Sequence, residues 1–138
     1  MEITKKYLDD LTYTFLGCCI NVHKELGPGL LESVYQQCII EELKYNDISF
    51  SSELTIDLKY RGKEIDSKLR ADLVIENCIV VELKSVKEFQ PIFDAQLLTY
   101  MHLLKVPKGI LINFNCLNIF KQGQKTFVND IFYELPNN

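Results

Sequence analysis

Two consecutive apolar segments carry ionised side chains in their interiors, and this constrains the fold more than anything else in the chain. The first is Leu69-Arg70-Ala71-Asp72-Leu73-Val74-Ile75. After a break at Glu76-Asn77, the second runs Cys78-Ile79-Val80-Val81-Glu82-Leu83-Lys84. Short apolar runs bounded by turn residues read as β-strands. A strand interior that buries charge must pair it, coordinate a metal with it or present it to a cleft. Glu82 and Lys84 are two apart and share one face of their strand. A loop of Glu76-Asn77 alone would set Asp72 opposite Val81, pointing away from them. A three-residue loop, Glu76-Asn77-Cys78, or a five-residue one, sets Asp72 opposite Glu82 and Arg70 opposite Lys84. The spacing therefore predicts an odd-length turn, with Asn77 suited to a left-handed conformation. Under that register two carboxylates and an ammonium converge as they would around a divalent cation. The alternative is an exposed strand face with a cross-strand salt bridge; the apolar surroundings of both strands favour a site.

The rest of the chain arranges helices and strands around this pair. Leu8, Leu11, Phe15, Cys18/Cys19, Val22 and Leu26 recur at helical spacing from Thr4 to about Leu26, where Gly27-Pro28-Gly29 breaks the pattern. A second helix is predicted from about Leu30 to Tyr45, with Glu32 in its first turn. Phe50, Leu54, Ile56, Leu58 and Tyr60 then share one face of a strand, and Ile65, Leu69, Ala71, Leu73 and Ile75 share one face of the next. A two-residue Arg61-Gly62 turn pairs Tyr60 with Lys63, Leu58 with Ile65 and Leu54 with Leu69. Pro91 opens a helix to about Leu104. Gly109–Phe114 is a short buried strand, Leu117–Phe120 irregular or a short strand, and Lys125–Val128 a final edge strand. The order α-α-β-β-β-α-β describes one mixed α/β domain over residues 1–138.

Composition narrows the class. A chain of 138 residues with 47% hydrophobic and 25% charged content has room for one core without disulfides or structural metal. The five cysteines include no Cys-x-x-Cys pair and lie mostly in apolar segments, which reads as reduced, buried thiols. No run approaches the ~20 apolar residues of a membrane span, and no signal region follows the N-terminus. A cytoplasmic protein with no membrane partner is expected. The net charge of −4 argues against a general nucleic-acid coat, yet residues 50–125 hold 11 Lys/Arg against 9 Asp/Glu while the flanks hold 4 against 10. A phosphate-binding surface in the middle of the chain is compatible with that distribution.

Three further constellations have two readings each. In Gly29-Leu30-Leu31-Glu32-Ser33-Val34-Tyr35, Gly29 ends a loop, Glu32 favours a helix N-terminus and Tyr35 packs in the core; alternatively Glu32 is a third carboxylate that closes over a metal. Gln96 and Tyr100 stand one turn apart on one helix face, either as a hydrogen-bonded pair beside the core or as groups that steady a phosphate or water. His23 and His102 have no Cys or His at ligand spacing and read as packing or surface residues. There is no Gly-rich phosphate loop and no Ser or Cys nucleophile constellation.

Asp72 with Glu82-x-Lys84 resembles the metal-binding acids and lysine of the PD-(D/E)XK nuclease superfamily. Gly29, Glu32 and Tyr35 further resemble the motif of its small GxxExxY proteins, and Glu32 with Gln96-x-x-x-Tyr100 is similar to the RecB-like branch. Ala71 stands where the superfamily has proline, and the clustered cysteines of iron–sulfur members are absent. The resemblance implies a restriction-endonuclease-like core, a mixed central sheet flanked by helices. It implies Glu32, Asp72 and Glu82 as ligands of Mg²⁺ or Mn²⁺, and Asp72, Glu82 and Lys84 as the catalytic set. Gln96 and Tyr100 would give substrate-side support, to which Arg70 is added as the cation expected across from Lys84. The expected activity is phosphodiester hydrolysis, in DNA ahead of RNA, with a homodimer or a larger partner protein supplying any sequence specificity. A catalytically idle module that binds nucleic acid or a partner protein is the alternative.

Overall fold

Thr4 begins the first helix by accepting the Tyr7 amide on its hydroxyl at 3.0 Å, and α1 (Lys5–Leu26) ends where Gly27 turns the chain at φ 71°. Its stripe of Leu8, Leu11, Phe15, Cys18, Cys19 and Val22 is buried, as the spacing implies. α2 (Glu32–Tyr45) starts two residues later than expected. The reason is Tyr35, whose hydroxyl donates to the Gly27 carbonyl and accepts the Leu30 amide, holding Leu30 in a loop. The Tyr35 ring stacks on Phe114 at 4.2 Å and is fully buried, so its packing role is real. Gly29, at φ 95°, lets that loop turn where a side chain would be strained.

This computed structural model describes residues 2–138. Its strands are β1 (Phe50–Thr55), β2 (Leu58–Tyr60), β3 (Lys63–Ile65), β4 (Arg70–Ile75), β5 (Ile79–Lys84), β6 (Lys108–Asn113) and β7 (Gln124–Val128). Five form a mixed sheet in the order β1-β4-β5-β6-β7, in which only β5 and β6 run parallel. A parallel pair needs a long crossover, and α3 (Pro91–Leu104) supplies it, with Pro91 in its first turn. Strands buried on both faces read as continuous apolar runs, which accounts for Ile79–Leu83 and Ile110–Ile112.

The meander differs from the alternation-based expectation. Leu58 faces Ile65 and Tyr60 faces Lys63 as predicted, but Leu54 pairs with Ala71, not Leu69. Between the two ladders one strand has Ile56-Asp57 and the other Asp66 to Leu69, with Lys68 left-handed at φ 57°. Two extra residues slip the register by an even number, so the apolar residues of the sheet keep their side while the chain kinks. β2 and β3 consequently leave the sheet as a separate hairpin. The next turn follows expectation: Leu73, Val74 and Ile75 pair with Val81, Val80 and Ile79, so the loop is Glu76-Asn77-Cys78, with Glu76 and Asn77 both left-handed.

One sheet face packs Leu73, Ile75, Ile79, Val81, Ile110 and Ile112 against α1 and α2. The other packs Val74, Val80 and Leu111 against Leu97, Tyr100 and Met101 of α3. Each such side chain contributes about 1.5–3 kcal/mol by burial. Gly109 allows the close approach of α3, since a Cβ there would lie 2.7 Å from Met101 Sδ and 3.0 Å from Leu97 Cγ.

The segment expected as irregular or a short strand is instead a helical turn, α4 (Ile119–Gln122), because Asn118 caps it by accepting the Lys121 amide. α5 (Asp130–Tyr133) and the tail return to the N-terminus, where the Lys5 and Lys6 amides donate to Pro136 and Asn137. All five cysteines are free thiols, three of them buried. Among the described residues no helix is long and apolar enough to cross a membrane.

Candidate functional site

The charged strand interiors meet where β4 and β5 part. Continuing the ladder beyond Leu73–Val81 would next pair Asp72 with Glu82, but no further pair forms. Instead the side chains take over the backbone groups: the Asp72 amide donates to Glu82 Oε2 and the Leu83 amide to Asp72 Oδ2, both at 2.8 Å. Each acid thus holds the opposite strand, and the two carboxylates are fixed beside each other. Arg70 is exposed and pairs with Thr55 of β1; on its other side the β4–β5 ladder has the expected register but stops at Leu73–Val81, short of Arg70 and Lys84.

Burial sets the electrostatics. Glu82 is 5% exposed, and its pKa is pushed up to about 8 by burial first and by the Asp72 charge second, against the pull of the Asp72 amide and Lys84. Asp72 is also raised, by burial first and then by the charges of Glu53 and Glu32, against the pull of the Leu83 amide and Lys84. Both acids are held above the ordinary carboxylate range, and they titrate as a pair. Lys84 Nζ stands 4.7 Å over the Phe93 ring, which steers the ammonium, and among the described residues it enters no ion pair.

α3 brings the remaining predicted residues to the same side. Gln96 Nε2 donates to the Tyr100 hydroxyl oxygen at 3.0 Å, leaving the phenolic proton free for another acceptor. Tyr100 has a raised pKa, from burial first and then from Glu82, with Asp72 adding to it, so its hydroxyl shares the field of the acids. Glu32 lies exposed in the first turn of α2, and its charge reaches Asp72. Among the described residues no trio of His, Cys, Asp or Glu is close enough to hold a metal ion by itself. Asp72 and Glu82 are the ligands the strands preassemble. Their oxygen donors, in excess of the one lysine, suit Mg²⁺ or Mn²⁺, and Mg²⁺ typically takes one or two carboxylates and completes its shell with water and phosphate.

Three neighbours escaped the sequence reading. Gln36, one turn after Glu32 on α2, donates to the Asp72 carbonyl at 3.1 Å. Asn113 clasps the loop after Lys84, its Oδ1 accepting the Val86 amide and its Nδ2 donating to the Val86 carbonyl, both at 3.0 Å. Asn113 ends an apolar strand and is buried, so the logic that singles out Asp72 would have found it. Glu53 lies opposite Asp72 in the β1–β4 register with φ 50°, a left-handed residue within a strand. Such backbone costs on the order of 1 kcal/mol and concentrates at functional sites. No pattern in Phe50-Ser51-Ser52-Glu53 announces it. A groove of about 890 Å³ between α1 and α2, lined by Val22, Leu26, Cys38 and Ile40 among others, includes none of these residues.

A family model described as the PD-(D/E)XK nuclease superfamily matches residues 9–127, a span that includes every residue of the site. No curated protein and no solved structure matches the chain. Like its sheet, with the acids at the parting of two central strands, that match leads to one conclusion: the chain belongs to the PD-(D/E)XK nuclease superfamily, with a restriction-endonuclease-like fold and a nuclease-type function.

Proposed function

We propose that this chain is a metal-dependent phosphodiesterase of the GxxExxY type, on the RecB-like side of the superfamily, working as one domain in the cytoplasm and cutting DNA in preference to RNA. The observation that carries it is the reciprocal locking of Asp72 and Glu82 onto each other's strands beside Lys84. Glu82, buried beside the half-buried Asp72, has its pKa raised by burial and by the Asp72 charge, an unfavourable arrangement for stability alone. The free thiols fit a reducing compartment.

Asp72 and Glu82 would hold one or two Mg²⁺ or Mn²⁺ ions, with Glu32 approaching from α2 as a further acid. When bound, the cation polarises the scissile phosphate and makes water in its shell more acidic. Lys84 orients the attacking water and counters the charge that develops as its oxygen bonds to phosphorus and the leaving oxygen departs in line. The proton released by the water passes to solvent, and the leaving oxygen regains one from solvent. Gln96 holds the Tyr100 hydroxyl so that its proton points to a phosphate oxygen, and Arg70 supplies a cation at the mouth.

The test incubates wild type, Lys84→Ala and a Glu82→Ala/Lys84→Ala double variant with single-stranded, duplex and branched DNA and with RNA, in Mg²⁺, Mn²⁺ or EDTA. Cleavage should appear in wild type with metal, vanish in EDTA and the double variant, and fall at least ~10²-fold in Lys84→Ala. The Mg²⁺-induced rise in Tm should persist in Lys84→Ala. Full activity in Lys84→Ala would remove that residue from the mechanism. Absence of cleavage in wild type, with metal and nucleic acid still bound, would favour the idle binding module, to which the net charge of −4 and any need for a partner subunit also point.

A further inference from the structure

The detached hairpin is the most cationic part of an acidic protein. Residues 58–70 hold five Lys/Arg (Lys59, Arg61, Lys63, Lys68 and Arg70) against Glu64 and Asp66, in a chain whose net charge is −4. All five cations are exposed, and among the described residues none of them enters an ion pair or a side-chain hydrogen bond. β2 and β3 pair only with each other. A lone two-stranded ribbon is marginally stable in water, and this one presents Tyr60, 67% exposed, beside Lys59 and Arg61 at its tip. The chain joins it to the sheet through β1 and β4, and β4 starts at Arg70, two residues before Asp72. The hairpin therefore leaves the sheet at the end where the acids stand.

We propose that this hairpin is an arm that grips the nucleic-acid strand beyond the scissile phosphate, its Lys and Arg side chains on successive phosphates and Tyr60 stacked on an unpaired base. The inference rests on the nuclease reading above and specifies the substrate: a strand that extends past the cut and is single-stranded there. Glu53 lies opposite Asp72, and Tyr60 follows it by seven residues. At ~3.3 Å per residue the tip reaches up to ~25 Å from Asp72. That equals about seven nucleotides at the ~3.4 Å per charge of a helically stacked strand, and fewer where the strand is extended. Cations on phosphate supply affinity without sequence preference, and an aromatic face accepts any base.

The experiment compares wild type, a Lys59→Ser/Arg61→Ser/Lys63→Ser variant and Tyr60→Ala, all altered only at exposed positions. Binding of fluorescein-labelled 5-nucleotide and 30-nucleotide single-stranded DNA and a blunt 30-base-pair duplex is read by anisotropy in EDTA across a salt series, and cleavage is read in Mg²⁺. For the 30-nucleotide strand, the triple variant should bind ~10–100-fold more weakly, with a slope of log K against log salt shallower by about 2. The 5-nucleotide strand should be bound and cut equally by all three proteins. Tyr60→Ala should lose about tenfold on the single strand and little on the blunt duplex. Unchanged affinity and slope in the triple variant, or equal losses on short and long strands, would overturn the arm while wild-type cleavage left the nuclease reading standing. Equal losses for Tyr60→Ala on single strand and duplex would overturn the stacking and the single-strand preference. Wild type that neither binds nor cuts any of the three would sink both readings together.

Discussion

Replacing Glu82 by Gln should stabilise the metal-free protein at alkaline pH while destroying its function. The amide retains an oxygen that can accept the Asp72 amide, the contact Glu82 makes at 2.8 Å, so the strands stay joined. What disappears is a buried charge facing Asp72. Glu82 rises from an ordinary 4.5 to about 8, which at ~1.4 kcal/mol per pH unit sets a ceiling of ~5 kcal/mol. Water penetration and local relaxation lower such penalties, and about 2 kcal/mol is a reasonable expectation. The folded carboxyl holds its proton more tightly than the unfolded chain does. Between pH 4.5 and 8 the folded state therefore binds more protons, and the stability of wild type must fall as pH rises through that window. Thermal denaturation in EDTA at pH 5 and pH 8.5 reads this directly. Wild type should lose Tm on going to pH 8.5, and the Gln variant should melt ~5–10 °C above it there. At pH 5, where both side chains are neutral, the two should nearly coincide. Mg²⁺ should raise the Tm of wild type more at pH 8.5 than at pH 5, because ligands must lose their protons to bind. A Gln variant no more stable than wild type at pH 8.5, or equally stabilised at both pH values, would refute the account of Glu82 as a strained, proton-holding ligand.

Other residues give independent checks. Tyr35→Phe keeps the stacking on Phe114 but removes the hydroxyl from Gly27 and Leu30, and should lower stability by about 1–2 kcal/mol in chemical denaturation. Gly109→Val should cost about 1–3 kcal/mol by the same measurement, since its side chain would collide with Met101 and Leu97. Tyr100→Phe should leave the stability within about 1 kcal/mol of wild type in chemical denaturation, because among the described residues the hydroxyl bonds only Gln96, while cleavage falls by about tenfold or more; unchanged cleavage would confine Tyr100 to the core.

The extent to which the site was legible in the sequence follows from the range of the forces involved. Apolar periodicity is local, and so the stripe of α1, the Pro91 start of α3 and the buried run of β5 could all be read in advance. The odd-length turn was also legible, because a side-chain period of two leaves no other way to bring Asp72 and Glu82 to one face. Placement was different wherever it depended on non-local pairing. Nothing local separates Leu54 opposite Leu69 from Leu54 opposite Ala71, since both registers keep the apolar residues on one side; only the kink at Lys68 decides, and with it whether β2 and β3 belong to the sheet. Likewise, the sequence determined that two acids and a lysine would meet on adjacent strands, through alternation and spacing alone. Tertiary structure decided that those strands part there and that each acid binds the other's backbone. It also decided that Gln36 holds the Asp72 backbone, that Asn113 clasps the loop after Lys84 and that Glu53 stands opposite Asp72, from three different elements. These contacts join positions far apart in the chain, and their energies exist only once the helices and sheet have closed around them.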